Sequence, residues 1–338
     1  MLALCPAAVI TVATPAVFRA LQRSNPGPVP ENAVVRMSYR SSTVNPNLIH
    51  VDVFADGPLT GNGLAVFLGT ETWSAALMQR LTQEMKQFES IFLSDVSAAG
   101  ATARVFTVDE ELPFAGHPVL GAAAVLHGLD GASLPQRSWC LRLPAGPVQV
   151  NTWRSADHVV AEMNQGLASI GLSLALADLM PALHSLGLAP ADLVPGLPAQ
   201  VISTGLPYLI LPVQAEALAR TAITGRRLEQ QLAVLGAKFM LVLDVAAREL
   251  RTWDNLGLVE DVATGSAAGP AAAYLVAHGL ANPAEILMLA QGRFASRASS
   301  IQVRCNTLGQ WLIRGQVWTV AQGVLDPRIV HGLQRGER

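Results

Sequence analysis

The sequence predicts an α+β protein of two similar halves, each a mostly antiparallel, barrel-like sheet wrapped round one buried helix. Three observations carry this prediction. Residues 260–279, EDVATGSAAGPAAAYLVAHG, run two acids into a Thr-Gly-Ser turn and then into a helix of small apolar residues. Residues 114–128, FAGHPVLGAAAVLHG, repeat the plan: a Gly beside a polar residue, a Pro, and an Ala-rich run that stops at Gly. Around both lie short strand-like segments without long strand–helix–strand runs, which fits wrapped antiparallel sheets better than a doubly wound parallel sheet.

Helices so poor in charge cannot lie on a wet surface and are expected in the interior. Pro270 lacks a donor and is placed in the first turn of its helix, with Gly279 at the end. Pro118 reads as the first helical residue of the other, with His117 near the N-cap and Gly128 at the stop. The N-terminus of a buried helix presents unpaired N–H groups and a partial positive charge, a ready carboxylate site. The repeat predicts two such termini facing each other, with the amides of Gly116 and Gly265 as candidate substrate contacts. An Ala-rich helix that is merely core is the alternative.

In chain order, residues 48–54 alternate apolar and polar as a half-buried strand, residues 56–63 (DGPLTGNG) are turn chemistry, and residues 64–68 return as a second strand. Trp73, Leu77, Leu81, Met85 and Phe88 fall at helical spacing, opened by Thr72 or Ser74. Residues 88–93, FESIFL, form a short strand with Glu89, Ile91 and Leu93 on one face. If that face is the core, Glu89 is a carboxyl group in an apolar site with a raised pKa, suited to carrying a proton near neutral pH. If Glu89 lies at the strand mouth in water, it has no such role.

Residues 105–108, 139–150 and 158–163 follow as strand segments, and Asp109, Glu110 and Glu111 make a solvated turn. Residues 164–195, rich in Leu, Ala and Pro, read as a crossover. The second half offers strands at 200–213 (broken at Gly205-Leu206-Pro207), a helical pattern at 216–235 and a buried strand at 238–245. Closing strands are expected at 286–289, 300–304 and 311–320. The domain reading is an N-terminal extension over 1–46, one domain over 47–164 and a second over 165–330, the last strands packing back on the first. The extension is Pro-rich towards its end and lacks a basic leader region. It is expected to be disordered, or its first 36 residues to come from an upstream start codon, Met37 preceding a well-organised domain.

At 338 residues there is room for two full cores. A formal net charge of −2 without a basic run argues against nucleic acid and anionic membranes as partners. Charged residues are 14%, below the usual quarter or so, and no apolar run is clean enough to span a bilayer. Cys5, Cys140 and Cys305 have no metal or disulfide spacing and read as reduced thiols of a cytoplasmic protein. The histidines make no zinc motif, and no phosphate-binding glycine loop is present.

Residues 51–67 (VDVFADGPLTGNGLAVF), FESIFL, LPFAGHPVLGAAAVL, STGLPYLILPV and EDVATGSAAGPAAAYL resemble the PhzF-like phenazine-biosynthesis isomerases, a group similar in fold to diaminopimelate epimerase. The match runs in order from about residue 48 to 326. The resemblance implies two like domains with the active site in the cleft between them, and no metal and no organic cofactor. It places Glu89 at the catalytic, proton-carrying glutamate, His117 at the histidine of the Gly-His-Pro turn, and Asp261 and Ser266 at the acid and serine of the Asp-x-Ala-Thr-Gly-Ser block. Asn62, Gly116, Thr264 and Gly265 complete the candidate site as substrate-binding residues. It also implies a small carboxylate-bearing substrate in secondary metabolism, with a homodimer as the candidate assembly. Relatives that work with two thiols keep them at the helix starts, where this chain has no cysteine.

The chain departs from the family pattern at several positions. Gly63 follows Asn62 where Pro is usual. Val119 replaces Thr, Val262 replaces Pro or Ala, and Asn255 stands where Pro is expected. At 296–299 Arg297 and Ser299 keep part of a Gly-Arg-Pro-Ser pattern whose Gly and Pro are gone. Two other functions compete: a serine hydrolase built from Ser266, His117 and Asp261, against which Ser266 has no nucleophile elbow, and a catalytically silent binding protein.

Overall fold

A computed structural model describes residues 47–130, 134–225, 227–254 and 256–330. The N-terminal extension and Asn255 lie outside the described residues.

Strands β1 (Leu48–Val53) and β2 (Asn62–Leu68) pair antiparallel, with Val53 opposite Asn62. Helix α1 (Ala75–Met85) starts at Ser74, whose hydroxyl accepts from the Leu77 amide at 3.2 Å. It lies over an aromatic group of Phe67, Trp73, Phe92 and Phe106 on the outer face of the sheet. Strand β3 (Glu89–Ser97) then runs parallel to β2, with Glu89 opposite Leu64. After β4 (Gly100–Thr107) and the short β5 (Glu111–Leu112) comes α2 (Gly116–Leu129), buried from Gly116 through His127. Strands β6 (Gln136–Leu143), β7 (Gly146–Arg154) and β8 (Val159–Leu167) complete the first half.

The second half begins with β9 (Ser169–Ser173), α3 (Leu176–Ser185), β10 (Gln200–Ser203) and β11 (Pro207–Val213). It continues with α4 (Ala215–Arg220), α5 (Leu228–Val234), β12 (Phe239–Asp244), β13 (Glu249–Trp253) and β14 (Glu260–Asp261). Helix α6 (Gly265–Ala277), β15 (Leu287–Gln291), β16 (Ser299–Cys305) and the long β17 (Gln310–Gly323) close it.

The strand pairings close one ring completely, and a second is completed by the chain running from β8 into β9. One runs β1, β2, β3, β4, β6, β7, β8 and β17 back to β1, round α2. The other runs from β9 through β10, β11, β12, β13, β15 and β16 to β17, then through β8 into β9, round α6. Strands β8 and β17 belong to both rings, and the 164/165 division expected from sequence falls inside β8. Each helix is wrapped because its side chains are small. Ala122 and Ala123 in α2, and Ala267, Ala268, Ala271 and Ala272 in α6, are fully buried. No described helix is long and apolar enough to cross a membrane.

Some local expectations need correction. Helix α2 begins two residues earlier than Pro118 indicates, with Ala115 at the N-cap, so His117 is inside the first turn. Pro270 lies well inside α6 rather than in its first turn, because the helix starts at Gly265. Gly279 ends α6 with φ +70, its amide and that of Leu280 closing on Val276 and Leu275. The helical pattern over 216–235 is split into α4 and α5. The Thr221 hydroxyl bonds back to Ala217 O, and the segment at 221–227 accommodates Gly225, whose Cβ would strike Ser185.

Candidate active site

The first turns of α2 and α6 meet end to end. A Cβ on Gly116 would lie 3.4 Å from the Ser266 amide nitrogen, and one on Gly265 would lie 3.8 Å from the His117 amide nitrogen. The tightest limit on a side chain comes not from the facing helix but from Phe54 at Gly265, 2.9 Å, and from the end of Met163 at Gly116, 3.2 Å. Beneath Gly265 is Phe54, a buried residue with φ +61, whose ring also leaves no room for a side chain at Gly315 of β17.

Glu89, His117, Asp261, Ser266, Gly116, Thr264 and Gly265 line one cavity of about 80 Å³. Asn62 stands beside it, 2% exposed, bonded to two of them. Its other walls include Phe88, Leu112, Phe114, Leu206, Phe239 and Trp253. Glu89 opens β3 on the face that carries Ile91 and Leu93 into the first core, and its Oε2 lies 3.0 Å from Nδ1 of His117. Burial pushes the Glu89 carboxyl well up, and the negative charge of Asp261 adds to this. Burial also pulls the His117 imidazole down to about 3. Both shifts favour uncharged partners; in that form the carboxylic acid donates to Nδ1 and the ring proton is on Nε2. That Nε2 is buried without a partner.

Asp261 is provided for differently. Its Oδ1 accepts from the Asn62 amide at 2.7 Å and its Oδ2 from the Thr264 hydroxyl at 2.5 Å. Burial raises its pKa, while these bonds and the backbone amides of Ala263 and Val262 pull it down. Asn62 also donates to Ala263 O at 3.0 Å and lies 3.5 Å from His117 Nδ1, so it spans the two halves of the site. Gln291 locks the Asp261 turn from behind. It accepts from the Thr264 amide at 2.9 Å, and donates to Asp261 O at 2.8 Å and to the Thr264 hydroxyl at 3.0 Å. Thr252 on β13 bonds the Thr264 hydroxyl from the other side.

Ser266 pairs with the Tyr208 hydroxyl at 2.7 Å, and Tyr208 is buried and held as a phenol, its pKa raised chiefly by burial. A hydrolytic triad is therefore not assembled: Ser266 faces Tyr208, Asp261 faces Asn62 and Thr264, and His117 faces Glu89. Tyr208, Thr252 and Gln291 were not identified from sequence. Tyr208 sits inside the STGLPYLILPV block and had that signal. Thr252 and Gln291 are single polar residues in strands, with none.

Three departures from the family pattern acquire a physical account. The space that a side chain at Gly63 would need is occupied by Gln87, whose Oε1 would lie 2.2 Å from the Cβ. Ser296 has φ +58, the left-handed conformation that a glycine adopts more easily. Val119 is fully buried in the first core, where a Thr hydroxyl would need a partner. For Val262 the structure offers no explanation.

Comparison with known proteins agrees with this architecture. The profile of the family described as "Phenazine biosynthesis-like protein" matches residues 51–323. A solved "predicted epimerase" from Pseudomonas aeruginosa is 48% identical with a TM-score of 0.78, covering 83% of this chain and 99% of its own. The trans-2,3-dihydro-3-hydroxyanthranilate isomerase of Pseudomonas fluorescens is 32% identical over 283 residues, 80% of this chain and 94% of its own. That of Pseudomonas chlororaphis is 30% identical over 275 residues, 79% and 93%. Fold and site together define an isomerase of the diaminopimelate epimerase-like fold. Within that class, the chain belongs to the PhzF-type phenazine biosynthesis-like family.

Proposed function

We propose that the protein is a cofactor-independent isomerase that moves a proton between two carbons of a small, carboxylate-bearing cyclic or diene metabolite in secondary metabolism. The observation that carries this reading is the buried Glu89–His117 contact, 3.0 Å long, in a cavity wall between two helix N-termini. Glu89 as carboxylate takes a proton from one carbon, and the C–H electron pair enters the conjugated system of the substrate. The same group then gives the proton to a second carbon and is a carboxylate again. A carboxyl group with a raised pKa is the stronger base for the first step. His117 holds the carboxyl in place, and the opposed helix starts at Gly116 and Gly265 receive the substrate carboxylate. Asp261, Thr264 and Asn62 orient the substrate, as does Ser266 with Tyr208, and the aromatic walls suit a flat unsaturated ring. The unpaired thiols Cys140 and Cys305 support a cytoplasmic setting.

The test is turnover in D₂O of trans-2,3-dihydro-3-hydroxyanthranilate, the compound named for the Pseudomonas enzymes, beside a panel of small unsaturated carboxylates, read by proton NMR. The expected result is double-bond migration in one compound, with deuterium at a single carbon or partial retention of the original hydrogen. Near-normal turnover by Glu89→Gln, with a covalent adduct on Ser266 in the wild type, would overturn the reading in favour of a hydrolase.

A further inference from the structure

Asn62 makes a bond that joins the two halves of the site, and it follows a loop whose start is anchored at Phe54 and Ala55, by Ser300 N at 3.0 Å and Gln316 O at 3.3 Å, but whose middle is exposed. Residues 54–61 include three left-handed conformations, at Phe54 (φ +61), Leu59 (φ +62) and Gly61 (φ +75), and Leu59 is 68% exposed. The Thr60 hydroxyl only closes the loop on itself, through Asp56 and Gly57. The next residue, Asn62, is nonetheless fixed to 2.7 Å from Asp261.

The side chain that reaches this loop from the other half is Arg297, in the connection between β15 and β16. Its Nε donates to Gly61 O at 2.8 Å, and its Nη2 donates to Thr60 O at 3.2 Å and to Asp52 Oδ1 at 2.7 Å. The Gly61 amide returns a bond to Ala298 O at 3.1 Å. Arg297 is in turn fixed to the Asp261 side of the cavity. Its amide bonds Gly292 O at 3.0 Å, and Gly292 is packed so closely that a Cβ would lie 2.3 Å from Arg297 O and 2.5 Å from Val262 O. Gln291, the preceding residue, holds Asp261 O and the Thr264 amide. One short segment, residues 291–298, thus grips both ends of the Asn62–Asp261 bond.

We infer that Arg297 is a positioning residue that sets the place of Asn62 against Asp261, through the carbonyls of Thr60 and Gly61. A guanidinium suits this task because its donors diverge in one plane, towards two carbonyls and a carboxylate at once; an ammonium cannot reproduce that fork. The Asp52 carboxylate, 1% exposed, supplies the counter-charge that keeps the fork in place. The kinetic consequence rests on the isomerase reading; the positioning itself does not.

The test therefore has two arms. The first needs no substrate. In ¹⁵N-labelled protein, the Asn62 side-chain amide resonances, assigned by their loss in Asn62→Ala, are compared in wild type, Arg297→Met and Arg297→Lys. Arg297→Met is expected to shift and broaden them, and Arg297→Lys, which keeps the charge for Asp52, to do so only a little less. If Arg297→Met does not fold, the Lys variant decides. Unchanged Asn62 resonances in the decisive variant overturn the inference whatever the substrate proves to be. The second arm is a double-mutant cycle on turnover. A misplacement of about 1 Å can cost on the order of 10²-fold in rate, so Arg297→Met alone is expected to lower kcat up to that extent with little change in KM. In an Asn62→Ala background it should cost almost nothing further. A residue serving only stability gives equal factors in both backgrounds, and that outcome also overturns the inference.

Discussion

Glu89 and Asp261 face one cavity and are equally buried, each 6% exposed, but they are furnished in opposite ways. Asp261 is surrounded by donors: the Asn62 amide, the Thr264 hydroxyl and two backbone amides. Glu89 meets an imidazole that burial keeps neutral, with the negative Asp261 nearby. Equal burial therefore does not mean equal chemistry. Hydrogen bonds to the charged form offset part of the upward push of burial at Asp261, while Glu89, without them, takes that push in full.

The sharpest way to break this comparison is Glu89→Gln, which keeps size and polarity but cannot ionise. Turnover is expected to fall by about 10²- to 10⁴-fold, measured on whichever substrate the D₂O screen identifies. Stability should move the other way. A carboxyl whose folded pKa is raised supports folding fully below its unfolded value, about 4.3, and loses that support as pH rises through the folded value. Glu89→Gln should thus melt higher than wild type at pH 8, and the gain should be gone by pH 4.

Asp261→Ala should behave in the opposite sense. Removing the acceptor leaves one amide hydrogen of Asn62 buried and unpaired, while its bond to Ala263 O and the Thr252–Thr264 bond remain, at about 1–3 kcal/mol. Urea unfolding at pH 7 should show that loss, and a stability gain in both variants would remove the distinction between the two carboxyls.

Much of this pairing was legible in the sequence, for identifiable reasons. Glu89 shares a strand face with Ile91 and Leu93, so period-two counting grouped the three and left two outcomes, core or strand mouth. Small apolar residues without charge marked both central helices as buried, and the repeated Gly-plus-polar start marked two helix N-termini that could face each other. The partners of Asp261 were not legible in the same way. Gln291 and Thr252 come from strands whose pairing and turns bring them behind the Asp261 loop, and no local pattern encodes that. Pro270 misled because a helix start was inferred from the proline, when α6 begins five residues earlier at Gly265, packed against the Phe54 ring.

His117 gives a finer test. Its pKa is lowered to about 3 by burial, so the folded state resists a proton that the unfolded chain takes up below about 6.5. The neutral ring's contribution is fully present above that value and is lost as pH falls toward 3. Between pH 7 and pH 4, wild type should lose more stability in urea unfolding than His117→Asn; equal losses would mean that the ring is charged in the fold.

The smallest expected effect compares the two helix starts. A Cβ at Gly265 would meet the Phe54 ring at 2.9 Å, whereas one at Gly116 first meets the end of the flexible Met163 side chain at 3.2 Å. Gly265→Ala should cost about 1–2 kcal/mol, near the lower end for overpacking, and Gly116→Ala less. Thermal melts of the two variants, measured side by side, would rank them.

The strands common to both rings have a consequence for synthesis. Leu48, at the start of β1, pairs with Gly323, at the end of β17. A nascent chain that has emerged as far as Cys305 already carries both central helices and every residue around the cavity, yet it can close neither barrel. At roughly 5–20 residues per second, α2 waits on the order of ten seconds or more for its last wall. During that wait its alanine-rich surface and the open edges of β1 and β8 are exposed to whatever else is in the cell. Neither barrel is closed until β17 has emerged, and the step that completes one barrel completes the other.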